Sequence, residues 1–172
     1  MTDFAVARNN MIEGQIRTNK VTDAALIEAM RTLPREQFVP AERRSVAYID
    51  EDIRLAGNRF LMEPMVMARL LQAAEIAKTD VALDVGCATG YVTAVLARLA
   101  ATAVGLESDA NLARQASETL ARLQVDNAIV VQGPLAAGYS RHGPYDVIFV
   151  NGTAAEIPRA LIDQLAEGGR LV

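Results

Sequence analysis

The residues of this 172-residue chain that could do chemistry fall into two groups: Asp84, Gly86 and Gly90 in one stretch, and Glu107 at the end of the next predicted strand. In Val81-Ala-Leu-Asp-Val-Gly-Cys-Ala-Thr-Gly90 the apolar run Val81, Ala82, Leu83 and Val85 reads as a strand covered on both faces. Gly86 and Gly90 bracket a turn, and Tyr91 to Leu99 continue with helical periodicity. A turn of this kind lets a ligand approach bare backbone, with the amides of a helix N-terminus aimed at it. Glu107 lies 21 residues after Gly86, a spacing at which a carboxylate can accept the two ribose hydroxyls of an adenosine cofactor.

Two cofactor classes use such geometry. A dinucleotide fingerprint asks for G-x-G-x-x-G/A, but Ala88 and Tyr91 stand at its second and third small positions. The pattern acidic-x-G-x-x-x-G, carried by Asp84, Gly86 and Gly90, instead resembles the first motif of S-adenosylmethionine (SAM) methyltransferases. An acid suits a cofactor bearing an ammonium and a sulfonium, and would repel a pyrophosphate. A turn whose glycines serve chain geometry alone is the remaining alternative. The expected cofactor-binding residues are Asp84, Gly86, Cys87, Ala88, Gly90, Glu107 and Ser108, joined by Gly133, Pro134 and Asn151 at the ends of later strands. Asp84 is expected to hold the cofactor's amino group through water. Thr153 also ends a strand at the same crevice.

The bulk of the chain narrows the field. Hydrophobic residues make up 51% and charged residues 22%, as in a folded α/β protein. A net charge of −4 argues against a nucleic-acid surface, which needs a basic stripe. One cysteine excludes an internal disulfide and fits a reducing cytoplasm. No apolar run reaches the ~18 residues of a membrane span, and Met1-Thr-Asp-Phe4 lacks the features of a signal peptide. A cytoplasmic protein with no membrane or nucleic-acid partner is expected. One histidine and one cysteine cannot assemble a Cys/His metal site, so no metal is expected. His142 falls in the turn Ser140-Arg-His-Gly-Pro144, away from the expected crevice, and no G-x-S-x-G elbow is present.

The elements that must position these residues read as one domain over residues 1–172. Residues 1–78 form a helical N-terminal lid: a helix over about 3–17, a second capped by Thr22 and stopped by Pro34, and a third opened by Pro64. Pro34 to Pro40 reads as an extended connection, a short helix follows near 41–47, and residues 48–62 read as irregular. From residue 79 the pattern is β-α-β-α-β, with strands at 81–85, 103–108, 128–133 and 145–150 and a final helix over 154–166. This alternation implies an α/β, Rossmann-like, doubly wound and mostly parallel sheet, with ligands bound beyond the carboxyl ends of its strands. Gly168 to Val172 looks like a strand just beginning, so the sheet is expected to be cut short at its C-terminal end.

Taken together, the chain resembles the protein-L-isoaspartate O-methyltransferase family. The matching segments are Met11-Ile-Glu-Gly-Gln-Ile-Arg17, Leu33-Pro-Arg-Glu-Gln-Phe-Val-Pro40, Ala47-Tyr48, Pro64 with its helix, the glycine motif, Gly143-Pro-Tyr-Asp146 and Gln164 to Val172. The Pro-Arg-Glu-x-Phe-Val-Pro segment is the most specific of these. The resemblance implies a SAM-dependent enzyme that methylates the abnormal carboxylate of isoaspartyl residues. It also implies a protein or peptide acceptor, or a small molecule if specificity has diverged. Two departures stand out. The family carries Thr-Ile-Ser before the matching proline, and its serine is regarded as catalytic; this chain has Phe60-Leu61-Met62, with Met62 at the serine position. The family's Gly-Asp-Gly near the adenine is here Gly133-Pro134-Leu135. The expected acceptor pocket is therefore Arg59, Phe60, Leu61 and Met62, with Arg59 the remaining cation that could steer a carboxylate. A divergent acceptor and a binding module without catalysis remain alternatives, with a nicotinamide oxidoreductase behind them.

Overall fold

A computed structural model describes residues 3–172. Five parallel strands form the central sheet: β3 (Val81–Val85), β4 (Thr102–Glu107), β5 (Ala128–Gln132), β6 (Tyr145–Val150) and β7 (Leu165–Leu171), in the order β5-β4-β3-β6-β7. The order reverses direction at β3, so the switch point falls between β3 and β6. Two helices, α4 (Tyr91–Leu99) and α5 (Ala110–Arg122), join the first three of these strands. Asp109 starts α5 by accepting from the amides of Asn111 and Leu112.

Ahead of the sheet run α1 (Phe4–Met11), α2 (Ala24–Thr32), a two-stranded antiparallel hairpin of β1 (Ile53–Arg54) and β2 (Phe60–Leu61), and α3 (Pro64–Ala73). Met11, Ile12, Ile16, Leu26, Met30 and Met67 are buried in one cluster with Val92, Val95 and Leu96 of α4. The N-terminal layer thus shares the main core of the sheet. A second, smaller cluster on the opposite face holds Leu83, Val85, Val104, Leu106, Ile148 and Leu161.

Several elements differ from the sequence reading. The helix expected over 154–166 is confined to α6 (Arg159–Ile162). Pro158 holds extended backbone, which bars the preceding residues from the helix. Leu165, read as part of that helix, opens β7, where the chain pairs with β6 and Gln164 C=O accepts from the Tyr145 amide at 2.8 Å. The first helix leaves α geometry after Met11 and widens into a π turn over Ile12–Ile16, whose two isoleucines are fully buried. Asp23, not Thr22, caps α2, accepting from the Leu26 amide at 2.9 Å; the Thr22 amide donates to Gln72 instead. Residues 48–62 contain the hairpin, closed by paired hydrogen bonds between Leu55 and Arg59 and between Arg59 and Ala56.

Between Pro34 and Pro40 the expected extended link is a 3₁₀ turn over Arg35–Phe38, and Arg35 is completely buried. Its Nε donates to Ala47 C=O at 2.8 Å and its Nη2 to Met62 C=O at 2.7 Å, while the guanidinium lies 4.9 Å from the centre of the Tyr91 ring. One cation thereby ties the hairpin's exit to the helix that follows the glycine turn. Arg35→Ala would leave two buried carbonyls unpaired and remove the stacking partner of Tyr91. Denaturant unfolding should show a loss of about 2–4 kcal/mol. Arg35→Lys should recover less than half, because an ammonium lacks the planar fork.

Candidate active site

Parallel register brings the strand ends together. Val85 pairs with Leu106 on one side and with Val150 on the other, so Gly86, Glu107 and Asn151 emerge side by side. The Asn151 amide donates to Val85 C=O at 2.9 Å, and the amides of Gly86 and Cys87 both donate to Leu106 C=O. Gly86 has φ +85°, a left-handed conformation that favours glycine. A Cβ there would sit 3.4 Å from Asn151 C=O and 3.2 Å from the Arg59 guanidinium. The turn therefore presents bare backbone to a cleft. Gly90, with φ +89°, has a different task, since a Cβ on it would press against Ala116 of α5 at 3.1 Å.

Glu107 is fully buried and both its oxygens are engaged. Oε1 accepts from the amides of Ser108 (2.7 Å) and Asp109 (3.0 Å) and from Ser108 Oγ (3.2 Å). Oε2 accepts from the Ala88 amide at 2.8 Å and forms an ion pair with Arg59. Ala88 adopts φ +50°, unusual for a residue with a side chain, and its amide is spent on Glu107.

Asp84 is also fully buried, and its partners are protein groups. Thr93 Oγ1 donates to it at 2.7 Å and Asn151 Nδ2 at 3.2 Å. Burial pushes its pKa up to about 7 against the opposing effect of these hydrogen bonds, and the Glu107 charge adds to the rise. Asp84 thus anchors Asn151 and α4 from inside the fold and is not part of the cleft wall. Cys87 faces inward too, against Gly105 and Thr93, and burial holds its thiol well above the usual range.

The cleft has a volume of about 960 Å³. Gly86, Asn151, Gly152 and Thr153 line one side, and Phe60, Met62, Val66 and Leu70 another. Leu135 closes the end after β5, following Gly133 and Pro134; the Gly133 amide is bonded to Glu107 C=O at 3.0 Å. Asp52 and Glu63 also line the cleft; the Glu63 carboxyl is raised by desolvation and then by the charges of Asp50, Asp52 and Glu51.

Of the four expected acceptor-pocket residues, Arg59, Phe60 and Met62 reach the cleft, and Leu61 does not. Side chains alternate along β2, so Leu61 turns into the core and is 4% exposed. His142 lies stacked on Tyr139 away from the cleft. Among the described residues, no cluster of His, Cys, Asp and Glu could hold a metal. The sequence reading overlooked Thr93, Gly105 and Arg35. Thr93 is the polar member of an apolar helix face, which is a usable signal for a buried acid nearby. Gly105 leaves room for Thr93 Oγ1, which would lie 2.7 Å from a Cβ there.

A switch-point cleft with a bare glycine turn and a buried carboxylate on the adjoining strand defines a Rossmann-like, cofactor-binding fold. Residues 6–172 match the sequence pattern of protein-L-isoaspartate(D-aspartate) O-methyltransferase (PCMT). Similar relatives include the protein-L-isoaspartate O-methyltransferases of Koribacter versatilis, 40% identical over the whole chain and 78% of that protein, and of Methanoculleus marisnigri, 40% identical over 96% of this chain and 75% of that one. A solved protein-L-isoaspartate O-methyltransferase superposes with a TM-score of 0.84 at 28% identity, covering 95% of this chain and 54% of that one. The chain belongs to the protein-L-isoaspartate(D-aspartate) O-methyltransferase family, whose cofactor is SAM.

The residues present fit that cofactor, because a Cβ at Gly86 would intrude on the cleft between Asn151 C=O and the Arg59 guanidinium that pairs with Glu107. Asp84 gives the site a pH signature. Its folded pKa, about 7, lies above its ordinary 3.8, so between these values the native protein holds a proton that the unfolded chain has released. Stability therefore falls as pH rises through this window. From pH 5 to pH 7 the Asp84 share of the loss should be about 2–3 kcal/mol by urea unfolding, and Asp84→Asn should flatten the curve.

Proposed function

We propose that this chain transfers a methyl group from SAM to a carboxylate oxygen, with isoaspartyl residues of proteins as acceptors. The observation that carries the proposal is the meeting, in one cleft, of Gly86 and Asn151 with the hairpin wall of Phe60 and Met62, while Glu107 lies buried behind the cleft-lining Arg59 that pairs with it. Its named relatives support the acceptor class. When bound, the cofactor supplies a methyl group on an electrophilic sulfonium. Gly86 admits it against the backbone, Glu107 offers its carboxylate to ribose hydroxyls, and Asn151 is fixed beside them by Asp84. Phe60, Met62, Val66 and Leu70 shield the reacting centre from water.

An ionised carboxylate is already a competent nucleophile, so the reaction depends chiefly on positioning and dryness and requires no general base. Met62 at the family's serine position removes a hydroxyl that could hydrogen-bond the acceptor, a loss of about 1–1.5 kcal/mol. Pro134 supplies neither an amide hydrogen nor a charge to an adenine. These departures leave chemistry possible while weakening recognition. A second reading, methylation of an apolar acceptor, is favoured by Phe60, which is 46% exposed. No helix among the described residues is long and apolar enough to cross a membrane, and the lone buried Cys87 supports a reducing, cytoplasmic setting.

The test is labelled-methyl transfer from SAM to an isoaspartyl peptide beside its ordinary aspartyl twin. Label on the isoaspartyl peptide alone is expected. Label on neither peptide would overturn the proposed acceptor. Met62→Ser should raise kcat/KM for the isoaspartyl peptide roughly tenfold, the equivalent of one restored hydrogen bond.

A further inference from the structure

Arg59 stands where two demands on Glu107 collide. It closes the turn between β1 and β2, and its guanidinium reaches from this hairpin across the cleft to Glu107, 48 residues away in sequence. There it covers Gly86, with Nη2 and Nη1 lying 3.2 and 3.5 Å from where a Cβ on that glycine would be. Its Nε is buried with no partner. The remaining donors to Glu107, at Ala88, Ser108 and Asp109, come from the loops next to the strand ends and are fixed by the fold. Among the described residues Arg59 is the only donor to Glu107 on a long, flexible side chain, and that side chain is 26% exposed. The guanidinium occupies Oε2 of Glu107 and the space over Gly86, so a ribose diol would reach that oxygen only once Arg59 had left it.

The cleft offers Arg59 a second use. Among the described residues its charged lining side chains are Asp52, Glu63 and Arg59, so Arg59 is the one cation in a wall otherwise acidic, neutral polar or apolar. It directly precedes Phe60 and lies three residues before Met62, on the hairpin that forms the acceptor side. We propose that Arg59 serves two carboxylates in turn, binding Glu107 until the cofactor's ribose displaces it and then anchoring the carboxylate of the acceptor. This rests on the carboxylate methyltransferase reading above and adds an order to it: cofactor first, acceptor second. It also supplies a recognition group on a chain whose serine position is Met62. Displacement costs the cofactor an ion pair, and the acceptor recovers that cost by taking over the guanidinium.

Calorimetry with S-adenosyl-L-homocysteine (SAH), which requires no turnover, separates this from a structural role. Arg59→Gln removes the competitor, so SAH should bind roughly fivefold or more tightly than to the wild type. Arg59→Lys, which keeps a cation on the hairpin, should stay within about twofold of the wild type. Weaker or unchanged SAH binding by Arg59→Gln, with its melting temperature preserved, would overturn the displacement while leaving the methyltransferase reading intact. Absence of SAH binding by the wild type would overturn both. The order is tested by titrating an isoaspartyl peptide with and without saturating SAH. SAH should tighten peptide binding roughly fivefold or more in the wild type and leave Arg59→Gln unchanged. Equal peptide affinity with and without SAH in the wild type would overturn the anchoring role.

Discussion

A carboxylate held without access to water organises this molecule. Glu107 is tolerated at the end of β4 because five donors converge on it: three amides, one hydroxyl and one guanidinium. Uncompensated, such a buried charge would cost several kcal/mol. Together these donors tie three pieces of the fold to the same two oxygens. The Ala88 amide fixes the glycine turn, Ser108 and Asp109 fix the start of α5, and Arg59 reaches in from the N-terminal hairpin. The cleft exists because these pieces must all end at one place.

A second buried acid, Asp84, does for the other side of the cleft what Glu107 does for this one. Through Thr93 it holds α4, and through Asn151 it holds the end of β6. Neighbouring strand ends thus carry two acids with separate roles. One is spent inside the fold, near its titration midpoint at neutral pH; the other shares its charge with the Arg59 guanidinium. The buried cation Arg35 completes the frame by bonding Met62 C=O, so the hairpin wall of the cleft is hung from the same core as the glycine turn.

Much of this was legible in the sequence where local pattern and chemistry agree. The apolar run ending at Val85, the glycines at 86 and 90 and the acid at 107 define a strand, a turn and a strand end without reference to distant residues. Local pattern shows less where partners lie far apart. Asp84 reads as a cofactor ligand because nothing local shows that Thr93 and Asn151 absorb both its oxygens. Arg35 sits between two prolines, where a charged residue implies an exposed link, and its burial depends on carbonyls 12 and 27 residues away. Leu165 fits a helical spacing after Leu161, yet the open edge of β6 claims it for a strand. Leu61 was grouped with its neighbours by adjacency, whereas the two-residue period of β2 sends it to the opposite face.

The account stands most directly on Glu107 as the group that receives the cofactor. Calorimetric titration of SAH into the wild type and Glu107→Gln, with melting temperatures measured in parallel, decides the matter. An amide offers weaker acceptance to ribose hydroxyls, so a folded Glu107→Gln protein should lose roughly tenfold or more in affinity. Equal affinity in the two proteins would contradict the assignment and with it the reading of the cleft.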